Sequence, residues 1–403
     1  MSVLPEGNLL IAQGGGPTAV INASLQGVIE EAKKHPQIKG IFGARYGVEG
    51  LLKENFIDLG KELPAKIKGL SYTPASALGS CRRKLVEKDF PKVLEILKKY
   101  NIRYFFYNGG NDSMDTCNKI SVLAGEYDYD LKVIGIPKTI DNDLAYTDHC
   151  PGFGSAARYS AVSTMELAKD LEALPIHVCI MELMGRNAGW LTASAALAKK
   201  NGNEGPHLIY LPERPFIEEE FLEDVKQLHK EVQGVLVVVS EGLVDSNGNP
   251  LADSGIVDGF GHKVPGGVAQ HLSNLVMNKL GIKSRSEKPG LLGRASIPMQ
   301  SEIDREEALG VGSFAVRSAV EGKSGYMVSI KRVASVPYES EFELIPLERV
   351  ANVERKFPME WINKRGNGIE QAFIDYCTPL IGADLPDYVS LDKFAVEKIG
   401  GRI

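Results

Sequence analysis

Runs of consecutive apolar residues alternate along this chain with segments that have the amphipathic spacing of helices. Residues 8–13 and 38–44 are two such runs, and residues 18–34 between them have a helical pattern. Strands that are apolar on both faces need helices on both sides of their sheet, as parallel α/β folds provide. We therefore predict an α/β protein with central, mainly parallel sheets flanked by helices.

The alternation restarts near residues 150–175, which indicates two doubly wound, Rossmann-like domains. The further predicted strands cover residues 104–107, 132–135, 177–181, 208–211, 234–239 and 326–330, and the further predicted helices cover about residues 90–100, 114–123, 157–172, 191–199, 218–231 and 304–321. We assign residues 1–155 and about 295–325 to the first domain, and residues 156–294 and about 326–403 to the second.

Charge and composition exclude several classes of protein. The 403 residues carry a net charge of −6, so the chain has no general attraction for nucleic acid. The longest strongly apolar run, residues 235–239, is too short to cross a bilayer, and residues 1–6 lack the features of an export signal. Five widely spaced cysteines favour reduced thiols over disulfides or a zinc site. We therefore expect a cytoplasmic protein that binds neither nucleic acid nor membranes.

Glycine is enriched, at 42 of 403 residues against an average of about 7%, and two glycine clusters follow predicted strands. Ligands of open α/β sheets bind where strands end and helices begin. Gly14-Gly-Gly-Pro-Thr-Ala19 allows backbone N–H groups to approach an anion, although a ligand-free turn has the same sequence. A dinucleotide site is disfavoured because the second strand ends in Ala44-Arg45 instead of an acidic residue. Gly109-Gly-Asn-Asp-Ser113 is either a helix cap or a phosphate cradle.

Pro137-Lys-Thr-Ile-Asp-Asn-Asp143 places a lysine and two carboxylates directly after an apolar strand. A lysine there can neutralise phosphate, one aspartate can accept a proton, and the other can hold Mg²⁺ or orient the first. Two close carboxylates also push their pKa values apart, which suits one of them to act as a base. The alternative is a solvated acidic turn.

Taken together, these segments resemble the 6-phosphofructokinase superfamily over nearly the whole chain. The motifs that carry the resemblance are Gly14-Gly-Gly-Pro-Thr18, Gly109-Gly-Asn-Asp-Ser113, Pro137-Lys-Thr-Ile-Asp-Asn-Asp143 and Met181-Glu-Leu-Met-Gly-Arg186, with Pro212-Glu213 and residues 290–304. The resemblance implies Mg²⁺-dependent phosphoryl transfer to the 1-hydroxyl of fructose 6-phosphate, in glycolysis or gluconeogenesis. It assigns phosphoryl-donor binding to the first domain and sugar-phosphate binding to the second.

The resemblance also implies roles for single residues. Asp141 matches the base that deprotonates the 1-hydroxyl, with Thr139 and Asp143 beside it, and Arg186 matches the arginine that contacts the transferring phosphoryl group. The implied sugar-phosphate residues are Met184, Gly185, Glu213 and Arg294, where Arg294 would bind the 6-phosphate. Arg285 and His177 match positions that reach a neighbouring subunit, so we expect a homodimer or homotetramer with shared active sites. A structural role for His177 is the alternative.

Asp112 and Lys138 distinguish this chain from the ATP-using members, which have glycine at both positions. A carboxylate at position 112 would conflict with a nucleotide's α-phosphate, and Lys138 would neutralise the end of a short donor. We therefore predict pyrophosphate as the donor, in a reversible reaction. The expected donor-binding residues are Gly15, Arg82, Asn111, Asp112 and Lys138, with Arg83 as a substitute for Arg82. We assign the metal to Asp112, since Asn111 replaces the aspartate that the family has at that position.

Two alternatives to a pyrophosphate-dependent enzyme stay open. The chain could be an ATP-dependent 6-phosphofructokinase, or a non-catalytic regulatory subunit that binds sugar phosphates. In residues 289–294 only Gly290 and Arg294 match the family's pattern firmly, so another sugar phosphate could be accepted. The sequence assigns no effector, no choice between dimer and tetramer, and no role to the last 60 residues.

Overall fold

The computed structural model describes residues 5–174, 177–200, 204–232, 234–257 and 263–389, with residues 391 and 396. The strands are β1 (Gly7–Gln13), β2 (Ile38–Ala44), β3 (Phe56–Asp58), β4 (Ile102–Gly109), β5 (Lys132–Pro137), β6 (Val178–Leu183), β7 (Leu208–Tyr210), β8 (Val235–Ser240), β9 (Asp253–Val257), β10 (Lys263–Pro265), β11 (Ser284–Glu287), β12 (Tyr326–Ser335) and β13 (Tyr338–Pro346). The helices are α1 (Ile21–Ala32), α2 (Gly47–Leu52), α3 (Pro64–Gly69), α4 (Phe90–Lys99), α5 (Asn111–Glu126), α6 (Phe153–Ala173), α7 (Trp190–Ala193), α8 (Glu218–Glu231), α9 (Val268–Leu280), α10 (Leu292–Ala295), α11 (Glu302–Val320), α12 (Leu347–Val350) and α13 (Gln371–Cys377).

The larger sheet has seven strands in the order β13-β12-β5-β4-β1-β2-β3. Its five inner strands, from β12 to β2, pair in parallel, and β13 and β3 pair antiparallel at the two edges. The apolar run of β1 is fully buried because side chains pack on both faces, with Leu10 in the core cluster of one face and Leu9 and Ile11 in that of the other.

The second sheet has four parallel strands in the order β11-β6-β8-β7, and β9 and β10 form a separate antiparallel pair. Core clusters cover both of its faces as well. The predicted α/β class, with two mainly parallel sheets flanked by helices, is confirmed.

Residues 326–346 form the β12–β13 hairpin, and β12 pairs with β5 of the larger sheet. The sequence-based division placed this segment in the second domain. In the structure this hairpin extends the first sheet, because β12 forms backbone hydrogen bonds with β5. Residues 357–381 belong to the second sheet instead, since Phe357, Phe373 and Leu380 lie in one of its core clusters. The chain therefore crosses from one unit to the other after α12.

Two glycines let α1 and α11 approach each other closely beside the larger sheet. A Cβ atom on Gly27 would lie 2.1 Å from the Leu309 carbonyl oxygen, and one on Gly312 would lie 2.1 Å from that of Ser24. This contact ties α11 to the first unit. None of the helices in the described ranges is long and apolar enough to span a lipid bilayer.

Candidate active site

The glycine cluster after β1 forms a loop that has no room for side chains. A Cβ atom on Gly14 would lie 2.6 Å from the Tyr107 hydroxyl oxygen, and one on Gly109 would lie 2.0 Å from Ser113 Oγ. Gly15 has φ 73°, in the left-handed region that favours glycine. The loops after β1 and β4 therefore lie against each other at the carboxyl ends of their strands.

Lys138 follows β5 and points into the glycine loop. Its side chain is buried, and its Nζ donates a hydrogen bond of 2.6 Å to the Gly16 carbonyl oxygen. Burial lowers the pKa of Lys138 to about 8, although the negative charges of Asp141 and Asp143 oppose this shift. The loop thus combines a buried ammonium group with glycine backbone, an arrangement that suits a phosphate anion.

Asp141 lies in the same loop, where its backbone N–H donates a hydrogen bond of 3.0 Å to Thr139 Oγ1. Burial and the neighbouring carboxylates of Asp143 and Glu241 raise the pKa of Asp141 to about 7. Burial and the charge of Glu354 raise the pKa of Asp143 as well. Asp141 is therefore a carboxylate whose pKa is near neutral, as a general base at physiological pH requires.

A cleft of about 500 Å³ opens beside the glycine loop. It is lined by Gly15, Gly16, Pro17, Tyr46, Glu49, Ala75, Ser76, Gly79, Ser80, Cys81, Arg82 and Arg294. Arg294 lies so close that a Cβ atom on Gly16 would be 2.9 Å from its Nη1. Burial and the positive charge of Arg82 lower the pKa of Arg294. The two arginines, expected to bind different phosphates, line the same cleft.

Arg83, the substitute considered for Arg82, points elsewhere. Its Nη2 lies 3.0 Å from each carboxylate oxygen of Asp89, at the start of α4. Arg82 is therefore the arginine of this pair that is available to a ligand in the cleft.

Asn111 and Asp112 begin α5 and have different surroundings. Asn111 Nδ2 donates a 3.2 Å hydrogen bond to Asp143 Oδ2, while its buried Oδ1 has no hydrogen-bond partner. Asp112 is exposed, and its Oδ1 lies 2.8 Å from Lys84 Nζ. Across the described ranges no three His, Cys, Asp or Glu side chains are placed to hold a metal. The oxygens that the start of α5 can offer a metal–phosphate complex are those of Asn111 and Asp112.

The loop after β6 carries Met184, Gly185 and Arg186. Met184 packs against a small core cluster formed by Ile140 of the loop after β5, Ala156 and Leu191. Gly185 has φ 128°, and a Cβ atom there would lie 2.7 Å from the Ala188 carbonyl oxygen. Arg186 is exposed at the surface of this loop. The charge of Arg186 acts on Glu241, whose carboxylate in turn raises the pKa of Asp141, and the Arg186 side chain is open to a ligand.

Glu213 follows β7 and is only partly available to a substrate. Its Oε1 accepts hydrogen bonds from the backbone N–H groups of Gly189 (2.9 Å) and Phe357 (3.1 Å). Its buried Oε2 has no partner, and burial raises the pKa of the carboxyl group. One oxygen therefore has a structural role, and the other is a buried acceptor without a hydrogen-bond partner.

His177 and Arg285 lie at the opposite end of the second sheet. His177 immediately precedes β6, and Arg285 pairs with Cys179 at the start of the same strand. Arg186 follows the other end of β6, and a six-residue strand is about 20 Å long. Burial and the charge of Arg285 lower the pKa of His177, and its buried Nδ1 has no partner. Within one chain, His177 and Arg285 are thus outside the cleft.

Several groups near the site were not identified from the sequence. They are Lys84, Glu241 and Glu354, which act on Asp112, Asp141 and Asp143 respectively. Each belongs to a different segment of the chain from the residue it acts on. Local sequence patterns contain no signal for such pairs, because the contacts exist only in the folded chain.

Comparison with known proteins gives consistent matches. The phosphofructokinase family profile matches residues 8–319. A pyrophosphate–fructose 6-phosphate 1-phosphotransferase from Xanthomonas campestris pv. campestris is 46% identical over 413 aligned residues, which cover 98% of each chain. The crystal structure of a pyrophosphate-dependent phosphofructokinase from Marinobacter aquaeolei superposes with a TM-score of 0.86 at 40% identity, covering 97% of this chain and 98% of that one. A sulfofructose kinase from Alkalicoccus urumqiensis is 36% identical over 358 residues, covering 88% of this chain and 92% of that protein.

Proposed function

We propose that this chain, which belongs to the phosphofructokinase family, transfers a phosphoryl group from pyrophosphate to the 1-hydroxyl of fructose 6-phosphate. The products are fructose 1,6-bisphosphate and phosphate, and the reaction is reversible. Four curated relatives that are 40–46% identical over 96–98% of this chain are named for this activity. The observation that carries the proposal is the contact of the buried Lys138 ammonium group with the glycine loop. A positive charge at this place would neutralise the terminal phosphate of a bare diphosphate.

Asp141 is the general base of the proposed reaction. Its pKa of about 7 leaves a large fraction of the carboxyl group ionised at neutral pH and able to accept the proton of the 1-hydroxyl. Thr139 holds the backbone of Asp141 through its hydroxyl group, and Asp143 keeps the pKa of Asp141 raised. Both residues therefore contribute through Asp141.

Cationic side chains stabilise the charge of the transferring phosphoryl group. Lys138 and Arg82 flank the glycine loop that includes Gly15. Arg186, on the loop after β6, would contact the transferred group from the other side. Phosphoryl transfer depends mainly on positioning and on such electrostatic stabilisation. We assign Lys138, Arg82, Gly15 and Asn111 to the donor, and Arg186 to the transferred group.

Phosphotransferases of this kind need a divalent metal ion, and we propose Mg²⁺. Asp112 and Asn111 would hold it, since a carboxylate and an unpartnered amide oxygen are ligands that Mg²⁺ accepts. The ion would supply positive charge to the oxygens of the diphosphate. Asp112 would exchange its exposed contact with Lys84 for this role, at little cost, because exposed ion pairs contribute about 0–1 kcal/mol.

Met184, Gly185, Glu213 and Arg294 form the proposed sugar-phosphate site. In this proposal a sugar hydroxyl would donate to the unpartnered Glu213 Oε2, and Arg294 would provide a planar fork of donors for the 6-phosphate. His177 and Arg285 would act in the site of a neighbouring subunit, in a homodimer or homotetramer.

We place the protein in the cytoplasm, a location supported by its five free cysteines. Its reaction would belong to glycolysis or gluconeogenesis.

An assay of both directions tests this proposal. Fructose 6-phosphate with pyrophosphate and Mg²⁺ should yield fructose 1,6-bisphosphate, and the bisphosphate with phosphate should yield pyrophosphate. Asp141→Asn should lower kcat by about 10²- to 10⁴-fold and change the KM for fructose 6-phosphate little, because it removes the base and keeps the shape. Asp115→Asn, at a half-buried position of α5 where the carboxylate pairs with Lys119, is the matched control. If the wild-type protein is inactive in both directions, the result would favour a non-catalytic regulatory subunit over an enzyme. A preference for sulfofructose over fructose 6-phosphate would mean that a different sugar accepts the phosphoryl group.

A further inference from the structure

Residues 354–357 join three loops that carry proposed site residues. This segment lies beyond residues 8–319, the part of the chain that the family profile matches. It follows α12, at the point where the chain passes from the first unit to the second. Its contacts therefore bear on how the two halves of the site are held together.

On one side, the segment binds the loop of Asp141. The backbone N–H of Arg355 donates a 2.7 Å hydrogen bond to the Asp143 carbonyl oxygen, and Glu354 forms an antiparallel bridge with Leu144. The guanidinium group of Arg355 donates to the carbonyl oxygens of Thr147 (2.6 Å) and Asp148. The end of the catalytic loop is thus fixed to this segment through main-chain atoms.

On the other side, the segment binds the loops of Arg186 and Glu213. Asn187, next to Arg186, donates to Glu354 Oε1 (2.8 Å), and its carbonyl oxygen accepts from Lys356 Nζ (2.7 Å). The Phe357 N–H donates to Glu213 Oε1, and the Arg355 guanidinium stacks 4.1 Å from the Trp190 ring centroid. Four consecutive residues thus contact both sides of the site.

Tyr376 of α13 extends this connection to the residue between the two aspartates. Asn142 is fully buried with φ 55°, and its Oδ1 accepts from the Cys150 N–H. The Tyr376 hydroxyl accepts from Asn142 Nδ2 (3.0 Å) and Arg355 Nη2 (3.1 Å), and donates to the Asp148 carbonyl oxygen (2.8 Å). All hydrogen-bonding capacity of this hydroxyl is used, and it holds a left-handed asparagine in place.

We propose that residues 354–357 and Tyr376 form a positioning strap, which fixes the loop of Asp141 relative to the loop of Arg186. The inference rests on the proposed function. The two loops follow strands of different sheets, so neither sheet by itself sets their separation. Since a misplacement of about 1 Å can cost about 10²-fold in rate, the strap would act on the chemical step. Each substrate keeps its own contacts, so binding would change little.

Tyr376→Phe, compared with Tyr129→Phe, tests the strap. Both tyrosines are half-buried, and both hydroxyls donate to backbone carbonyl groups, but Tyr129 contacts Ile102 at the amino end of β4, away from the site. We expect Tyr376→Phe to lower kcat by about 10- to 100-fold and to leave both KM values within about twofold. We also expect faster amide hydrogen exchange in residues 138–143 of this variant. Tyr129→Phe should change neither kcat nor the hydrogen exchange of these residues. The proposal requires both changes, and the absence of either one overturns it.

A second pair of variants decides the matter if Tyr376→Phe is unfolded at the assay temperature. Glu354 is exposed, and Gln in its place keeps an oxygen that can accept from Asn187. Glu354→Ala should lower kcat at unchanged KM, and Glu354→Gln should restore most of the loss. Equal kcat values for Glu354→Ala and wild type contradict the strap. A wild-type enzyme inactive with pyrophosphate would instead overturn the proposed function, so the two failures are distinguishable.

Discussion

Burial has opposite consequences for the two charged residues at the centre of the site. It raises the pKa of Asp141 and lowers that of Lys138, because in each case it disfavours the charged form. The charges of the two residues attract each other and moderate both shifts. The result is an acid with a pKa of about 7 and an amine with a pKa of about 8 in one loop, so the ionisation of both residues responds to pH near neutrality.

The pH dependence of kcat/KM for fructose 6-phosphate tests this account of Asp141, because kcat/KM reports the ionisation of the free enzyme. The proposed base must be ionised, so kcat/KM should fall as the pH decreases through about 7. Glu241 raises the pKa of Asp141 through its negative charge, and Asp143 acts in the same direction, while Lys138 and Arg294 oppose them. Glu241→Gln should therefore lower the pKa of Asp141 and move the acidic limb to lower pH.

The measurement is the pH profile of kcat/KM for fructose 6-phosphate in wild type and Glu241→Gln between about pH 5 and 9, with a folding check at each pH. Glu218→Gln, at the exposed start of α8, is the control. An acidic limb that stays in place, or moves to higher pH, in Glu241→Gln contradicts the electrostatic coupling.

At the scale of elements, the loops that follow β1 and β5 pack against each other through Gly15 and Lys138. A Cβ atom on Gly15 would lie 3.3 Å from Lys138 Nζ, and the residue has φ 73°. Gly15→Ala should raise the KM for pyrophosphate by about tenfold or more, because it displaces the lysine and strains the loop. Gly248→Ala is a matched control, since Gly248 has φ 80° but nothing within 4 Å of its Cβ position. Steady-state kinetics with varied pyrophosphate would measure the difference, and equal KM values for the two variants would contradict the prediction.

Much of the fold and the core of the site could be predicted from the sequence because their signals are local. The strand at residues 38–44 and the helix at residues 218–231 were predicted with their observed bounds, since buried runs and amphipathic spacing are contained within each segment. The loops after β1, β4 and β5 were found because their glycines and charges adjoin these strands.

Contacts between distant segments could not be predicted in the same way. The β13 strand, YESEFELIP, alternates polar and apolar residues at a sheet edge, and its side chains are only partly buried, so it lacks the apolar run that identified the inner strands. The contact of Glu354 with Asn187 joins residues that are 167 positions apart. Arg355 and Tyr376 likewise have roles that depend on the folded chain.

At the scale of the whole molecule, the positions of His177 and Arg285 mean that any role for them in substrate binding involves a second copy of the chain. Both lie at the far end of β6 from Arg186, so a role in sugar-phosphate binding requires a neighbouring subunit. In an oligomer with shared sites, each site would combine Asp141 of one subunit with Arg285 of another. Variants at these two positions should therefore complement each other.

Mixed oligomers of Arg285→Ala and Asp141→Asn test this arrangement. Each variant alone should have low activity, the first through a raised KM for fructose 6-phosphate and the second through a lowered kcat. Oligomers formed by co-expression should regain part of the wild-type activity, because some sites contain neither substitution. Light scattering would verify the oligomer, and an assembled but inactive mixture would contradict shared sites.

The choice of donor is the central claim, and the ratio of kcat/KM for pyrophosphate to that for ATP measures it directly. An unscreened carboxylate about 4 Å from an α-phosphate costs about 4 kcal/mol near a protein surface, or about 10³-fold in affinity, and the contact of Asp112 with Lys84 reduces this repulsion. We therefore predict a ratio above about ten for the wild-type enzyme, and a fall of at least tenfold when Asp112 and Lys138 are both replaced by glycine. A wild-type ratio near or below one, or a ratio that the double substitution leaves unchanged, would contradict the account.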